Sequence, residues 1–243
     1  MVPSRRTCAA PPAGMTRQDT GRTTGNKRAY NPPDTKKEKE YVASVKYSPN
    51  GKYLAAGSWD QKVYLYEVSG EHEYKLLYVL SGNSSSVEHV MFSEDSEVLM
   101  SNSKDTQVLY WECATGARIA KAWMMRDVAW SQWTGTLGWS VMGIWDPEYD
   151  QTDVNATCRS VSGGALAFGD DYGKVKLMRY PVAVEGTAAC AAYGGHSSHV
   201  TCVRFSHDDS CVLSTGGGDS AVMQWKFRKG VAPASTNVEK ENQ

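Results

Sequence analysis

Three histidines and two cysteines, His196, His199, Cys202, His207 and Cys211, follow one another in the order H-x-x-H-x-x-C-x-x-x-x-H-x-x-x-C. Imidazole nitrogen and thiolate sulfur are zinc ligands, but this spacing matches no familiar finger. A strand, turn, strand reading of the segment puts Cys202 in one strand, Cys211 in the next and His207 between them, which scatters the set. The adjacent carboxylates Asp170/Asp171 and Asp208/Asp209 could do acid–base work or hold a cation. Both pairs stand where a tight turn needs Asp to bond its own backbone, and they are read as turn residues. No G-x-x-x-x-G-K-[ST], G-x-G-x-x-G or G-x-S-x-G stretch occurs in a strand-to-helix context. The expectation is a protein that is not an enzyme, with no catalytic, cofactor-binding or metal-binding residues.

What remains must be explained by the elements that carry these side chains. A chain of 243 residues that is 41% apolar is long enough for one large domain or two small ones with a core of their own. Its 22 glycines, 8 tryptophans and 13 tyrosines, set among short apolar alternations, point to many brief strands joined by turns. A frame recurs at a spacing of 45. Val45-Lys46-Tyr47-Ser48-Pro49-Asn50 leads to Leu54-Ala55-Ala56, Asp60 and Val63-Tyr64-Leu65-Tyr66. It returns as Val90-Met91-Phe92-Ser93 through Asp105 to Trp111, and again as Val203-Arg204-Phe205-Ser206 through Asp219 to Trp225. A looser copy spans Asp153 to Tyr180, where Asp171 stands four residues before Val175 instead of three. Period-two alternation gives each strand one core-facing side.

The charge is unevenly spread. Residues 1–40 hold 9 basic and 4 acidic side chains, a net +5, which leaves −6 on the remainder. This segment (1–40) has Pro11-Pro12 and Pro32-Pro33 and few large apolar residues, and is expected to be a disordered basic arm. It is either a solvated leader or a contact for an acidic polymer surface through Arg5, Arg6, Arg17, Arg22, Lys27, Arg28, Lys36, Lys37 and Lys39. The remainder is no basic nucleic-acid surface. No stretch approaches the ~18 consecutive apolar residues of a spanning helix, and the expectation is a soluble intracellular protein with no membrane or nucleic-acid partner. The six cysteines form no C-x-x-C pair and are expected to be reduced. Residues 229–243 read as a polar tail. Trp123, Trp130, Trp133, Trp139 and Trp145 crowd the stretch 121–149 with only Lys121 and Arg126 as cations, so an irregular packed blade is expected there ahead of an aromatic base-stacking platform.

A repeat of about 45 residues ending in an aromatic after Asp-x-x-Val resembles a WD40 propeller blade. The expected fold class is all-β, with WD40-type blades over 41–228. In that resemblance Gly195-His196, Thr215, Asp219 and Trp225 are the residue types that tie a blade together. It implies that His196 bridges to Asp219 and that Thr215 links onward to Trp225. Asp60, Asp105 and Trp111 hold the matching structural places in the first two copies. Those copies have Ala56 and Tyr66, or Ser81-Gly82-Asn83 without a Gly-His, and are expected to rely on packing more than on polar contacts.

The series Trp139…Gly143-Ile144-Trp145, Thr152-Asp153-Val154-Asn155-Ala156, Gly169-Asp170-Asp171-Tyr172-Gly173-Lys174-Val175, Tyr180-Pro181, Gly194-Gly195-His196 and Met223-Gln224-Trp225 is narrower than WD40 in general. It resembles the closing part of the echinoderm microtubule-associated protein-like family, more loosely across 41–228. The resemblance implies a non-catalytic protein that binds tubulin or microtubules and other axonemal or cytoskeletal proteins. It implies a place in the cytoplasm on the cytoskeleton, or in a cilium or flagellum. About four and a half blades are present, fewer than a closed ring of this family has. Lys104, Lys121, Arg126 and Arg159 are the cations of the repeat region to examine with the arm. The alternative is a WD40 adaptor scaffold that works away from microtubules.

Overall fold

The computed structural model describes residues 3–4, 41–70, 73–145, 154–184 and 190–228. Its strands are β1 (Pro3–Ser4), β2 (Val42–Tyr47), β3 (Tyr53–Ser58), β4 (Lys62–Ser69), β5 (Glu73–Ser81), β6 (Val87–Phe92), β7 (Val98–Ser103), β8 (Val108–Glu112), β9 (Val154–Arg159), β10 (Ala165–Asp170), β11 (Lys174–Arg179), β12 (Ala191–Gly194), β13 (Val200–Phe205), β14 (Cys211–Gly216) and β15 (Val222–Lys226). They form four antiparallel sheets in the orders β2-β3-β4-β5, β6-β7-β8, β12-β11-β10-β9 and β1-β15-β14-β13. Each is a propeller blade, and the arc they form is an incomplete propeller.

One serine shapes the first turn of every blade. The hydroxyls of Ser48, Ser93, Ser160 and Ser206 accept the backbone N–H of Tyr53, Val98, Ala165 and Cys211 at 2.9, 2.9, 3.0 and 3.1 Å. In three blades that hydroxyl also donates to the Asn50, Asp95 or Asp208 side chain. The side chain at the tip of the turn then reaches the neighbouring blade. Ser96 (φ +67°) accepts the Asn50 N–H at 3.2 Å, and Asp209 (φ +55°) accepts the N–H groups of Val161 and Ser162 at 2.7 and 2.8 Å. Asp208 is the turn residue that the sequence suggests, since its carboxylate takes the Ser206 hydroxyl and the Ser210 N–H. Asp209 is a link between blades instead.

Strand faces follow the alternation. Ala55, Val63, Leu65 and Leu80 of the first blade pack on Val87, Val90, Phe92, Leu99, Leu109 and Trp111 of the second. Val203, Val212 and Trp225 of the fourth blade pack on Ala156, Cys158, Ala167 and Val175 of the third. Gly57 and Gly169 lie at these two seams. A Cβ on Gly57 would come within 2.8 Å of Val87, and one on Gly169 would collide with Val200.

The Trp-rich stretch contains no strand among its described residues. Two short 3-10 turns, Ala122–Met125 and Trp139–Ile144, punctuate a wedge between the second and third blades. Trp130, Trp133, Val141 and Ile144 fill it against Met91, Met100 and Tyr110 on one side and Leu166 and Phe168 on the other. The expected irregular blade is therefore a packed, strandless insert. Its Trp130 and Trp133 rings meet edge to face at 6.3 Å. A second difference lies in the arm, where Pro3 and Ser4 pair with Trp225 and Gln224 and extend the fourth sheet by one strand.

Candidate functional site

The fourth blade carries a continuous polar relay. Asp219 Oδ2 lies 2.9 Å from His196 Nδ1, His196 Nε2 lies 2.8 Å from Ser214 Oγ, and Trp225 Nε1 donates to the same Oγ at 2.8 Å. The Ala221 backbone N–H, with help from the His196 ring and the Ser197 N–H, holds the Asp219 carboxyl below the usual carboxylate range. Of the four residues named from sequence, His196, Asp219 and Trp225 come together. Thr215 does not join them. Alternation turns its side chain to the opposite face, where its hydroxyl meets that of Thr201 at 2.8 Å. Ser214 is the member that sequence reasoning missed, and the signal was its cross-strand neighbour: Val212 pairs with Trp225, so the residue two further on shares the Trp225 face.

The second blade keeps the relay without a histidine. Trp111 Nε1 donates to Ser101 Oγ at 3.1 Å, and Ser101 donates to Asn83 Oδ1 at 3.1 Å. This corrects the expectation that this copy relies mainly on packing, because Asn83 occupies the place of His196. Asp105 accepts the hydroxyls of Ser103 and Ser84 and caps its turn outside the relay. In the first blade Asp60 accepts the Tyr64 hydroxyl at 2.6 Å, which pushes the Tyr64 phenol up to about 12. The third blade puts Phe168 and Met178 where Ser214 and Trp225 stand, and ties itself with the buried Asp170 paired to Lys176 at 3.0 Å. Asp170 also accepts the Tyr172 and Lys174 N–H groups, while exposed Asp171 accepts from Asn155.

At one end of the arc a cavity of about 460 Å³ opens among the first three blades. β-bulges place extra residues on its wall: Ala43, Glu88 and Asn155 each sit at a register shift of an innermost strand. Trp59, Lys104 and Asp171 come from the turns after the second strands. His89 lies on the inner side. Burial, with Arg204 and Lys46 nearby, lowers its imidazole to about 4, so it is neutral at pH 7. Burial raises Glu88, with Lys104 opposing the shift.

The remaining candidates part company. His199 meets Ser198, Cys202 and Cys211 lie in β13 and β14, and no group of three potential metal ligands converges among the described residues. Arg159 is not a surface cation. Its guanidinium donates to the Trp130 and Ser131 carbonyls at 2.7 and 3.1 Å and stacks over Tyr180, pinning the wedge. Lys104, Lys121 and Arg126 are exposed. Lys121 and Arg126 flank Trp123, which is 68% exposed, and Met124, a cationic loop with an apolar tip. The arm residues Arg5, Arg6, Arg17, Arg22, Lys27, Arg28, Lys36, Lys37 and Lys39 lie outside the described residues, as does the 229–243 tail.

The repeat-by-repeat geometry is matched by similarity to known proteins. A family model, the echinoderm microtubule-associated protein second beta-propeller, matches residues 22–227. The 77 kDa echinoderm microtubule-associated protein of Strongylocentrotus purpuratus is 46% identical over 188 residues, which cover 77% of this chain and 27% of that protein. The human echinoderm microtubule-associated protein-like 2 is 45% identical over 188 residues, 77% of this chain and 29% of that protein. Human echinoderm microtubule-associated protein-like 3 is 42% identical over 202 residues, 81% of this chain and 22% of that protein. The chain thus spans less than a third of the length of these relatives. The extent and identity of the match place it in one family: the chain belongs to the echinoderm microtubule-associated proteins, over the part that forms their second propeller.

Proposed function

We propose that this chain is a non-catalytic, microtubule-associated propeller segment that contacts tubulin through cationic loops. The observation that carries the reading is the family match over 22–227, whose relatives bear microtubule association in their names. The loop Lys121 to Arg126 supports it, because two cations and an exposed Trp123 ring suit an acidic protein surface. The basic side chains of residues 1–40 add positive charge that suits the same acidic surface. Tubulin and other cytoskeletal or axonemal proteins are the partners, and the cytoplasmic cytoskeleton, a cilium or a flagellum is the place of action. Nucleic acid and membrane are not partners in this reading.

Co-sedimentation with taxol-stabilised microtubules tests it. The folded chain pellets with the polymer, and pelleting falls as ionic strength rises, because exposed charges are screened over about 10 Å at 0.1 M salt. Lys121→Glu with Arg126→Glu weakens pelleting, as does reversal of Lys36, Lys37 and Lys39. A folded chain that stays in the supernatant at low salt refutes the proposal. The cavity around Trp59 and Glu88 favours one second reading, an adaptor that captures a protein partner. Partner capture from extract depleted of tubulin, lost on Trp59→Ala, distinguishes it.

A further inference from the structure

The cavity at one end of the arc has walls that belong to consecutive parts of this chain, the first three blades and the Trp wedge, and no residue of the fourth blade lines it. Its volume of about 460 Å³ lies in the range of pre-formed ligand sites, about 300–1,000 Å³. Trp59 of the first blade and Trp145 of the wedge are both on its lining. Tyr41 packs edge-on against Trp59 at 5.3 Å, and Trp145 Nε1 donates to the Thr136 carbonyl at 3.1 Å. Both rings are thereby held in place, and Trp59 keeps 47% of its surface exposed.

Glu88 is the group in this cavity without a structural task. The β-bulge at Val87/His89 puts it on the lining. It is half-buried, burial disfavours its charged form, and among the described residues its carboxylate makes neither a hydrogen bond nor an ion pair. Lys104 attracts it without pairing to it. A carboxylate partly removed from water and left unpartnered is a cost that a bound cation would reverse. Asp171 adds a second carboxylate, of which Oδ1 accepts from Asn155 at 2.7 Å.

The lining selects its occupant. Among the described lining residues two carboxylates face one ammonium, and His89 is neutral at pH 7, so the excess charge is negative and an anion is disfavoured. An apolar ligand would leave Glu88 desolvated and unpaired. A guanidinium meets both kinds of wall. Its plane stacks on an indole ring, and its fork donates two parallel N–H groups to one carboxylate. An ammonium has neither the plane nor the fork.

We infer that this cavity receives an arginine side chain of a protein partner, with Glu88 binding the guanidinium and Trp59 stacking on it. The inference rests on the adaptor reading given above and adds the chemistry of the residue that is captured.

Isothermal titration of the full chain at low salt tests it, with the peptide acetyl-Gly-Ser-Arg-Ser-Gly-amide as probe. The same peptide with citrulline, which keeps the shape and loses the charge, is expected to bind at least about tenfold more weakly, and the lysine peptide several-fold more weakly. Glu88→Gln, with circular dichroism unchanged, brings the arginine peptide down to the level of the citrulline peptide, and Trp59→Ala weakens it as well. Lys104→Ala tightens binding, because it removes a competing positive charge from an exposed position, a gain that a merely structural role for these residues would not produce. Equal binding of the arginine and citrulline or lysine peptides overturns the inference and leaves the adaptor reading standing, as does binding indifferent to Glu88→Gln. A folded chain that binds none of the peptides overturns it too, while capture from tubulin-depleted extract tests the adaptor reading by itself.

Discussion

Replacing Ser214 with alanine separates the relay in the structure from the one the sequence suggests. Ser214 Oγ accepts from Trp225 Nε1 at 2.8 Å and meets His196 Nε2 at 2.8 Å, and Ser214 and Trp225 are each 1% exposed. Each bond is worth about 0.5–1.5 kcal/mol net, and a buried polar group left without a partner costs about 1–3 kcal/mol. Both partners of Ser214 are orphaned at once, so the expected loss is about 3 kcal/mol. For a domain of this size that corresponds to a fall of roughly 6–12 °C in Tm. Thr215→Ala removes only an exposed hydroxyl contact with Thr201 and is expected to cost less than about 0.5 kcal/mol. Calorimetry gives the Tm of both variants, and hydrogen exchange localises the loss to β13, β14 and β15. Equal effects of the two substitutions, or a larger effect of Thr215→Ala, would refute the assignment.

Three further outcomes follow from the same geometry. Gly169→Ala forces a methyl against Val200 at the seam of the third and fourth blades, and an overpacked site of this kind loses about 1–3 kcal/mol, read from the urea midpoint. Lys176→Met strands the Asp170 carboxylate, whose side chain is 2% exposed; thermal unfolding should show a loss of about 2–4 kcal/mol, smaller for Lys176→Met with Asp170→Asn. His89 has a folded pKa of about 4 against 6.5, so the unfolded chain binds its proton first as pH falls. Its contribution is complete above pH 6.5, declines between pH 6.5 and 4 by about 2–3 kcal/mol in all, and then levels. A urea series from pH 7 to 4 on the parent and on His89→Gln measures it, and identical slopes would remove His89 as the cause.

Most strands were legible because alternation and turn residues repeat, and a serine near the first turn, Ser48, Ser93, Ser160 or Ser206, marks where each hairpin begins. Relay membership was only half legible. Ser214 and Thr215 both carry hydroxyls, and only the pairing of Val212 with Trp225 decides which faces inward. Asn83 was hidden because an amide replaces an imidazole, a substitution that keeps an acceptor in place but breaks the motif. Arg159 reads as a surface charge by composition, yet two carbonyls and the Tyr180 ring absorb it inside the wedge. The five clustered tryptophans gave no periodicity to read, since an insert that fills space between two sheets has no reason to repeat.

The serine of the first turn holds each hairpin, and the tip residues Ser96 and Asp209 set the spacing of the first two and of the last two blades, all through backbone N–H groups. Backbone amides are present whatever the side chains are. Blade geometry is thus insulated from the composition of the blade interior, which in this one chain ranges from a His, Ser, Trp relay to Ala with Tyr and to Phe with a salt bridge. Such a scaffold can drift widely in its interior and still present its rim loops at constant separations, which leaves those loops free to diverge toward new partners.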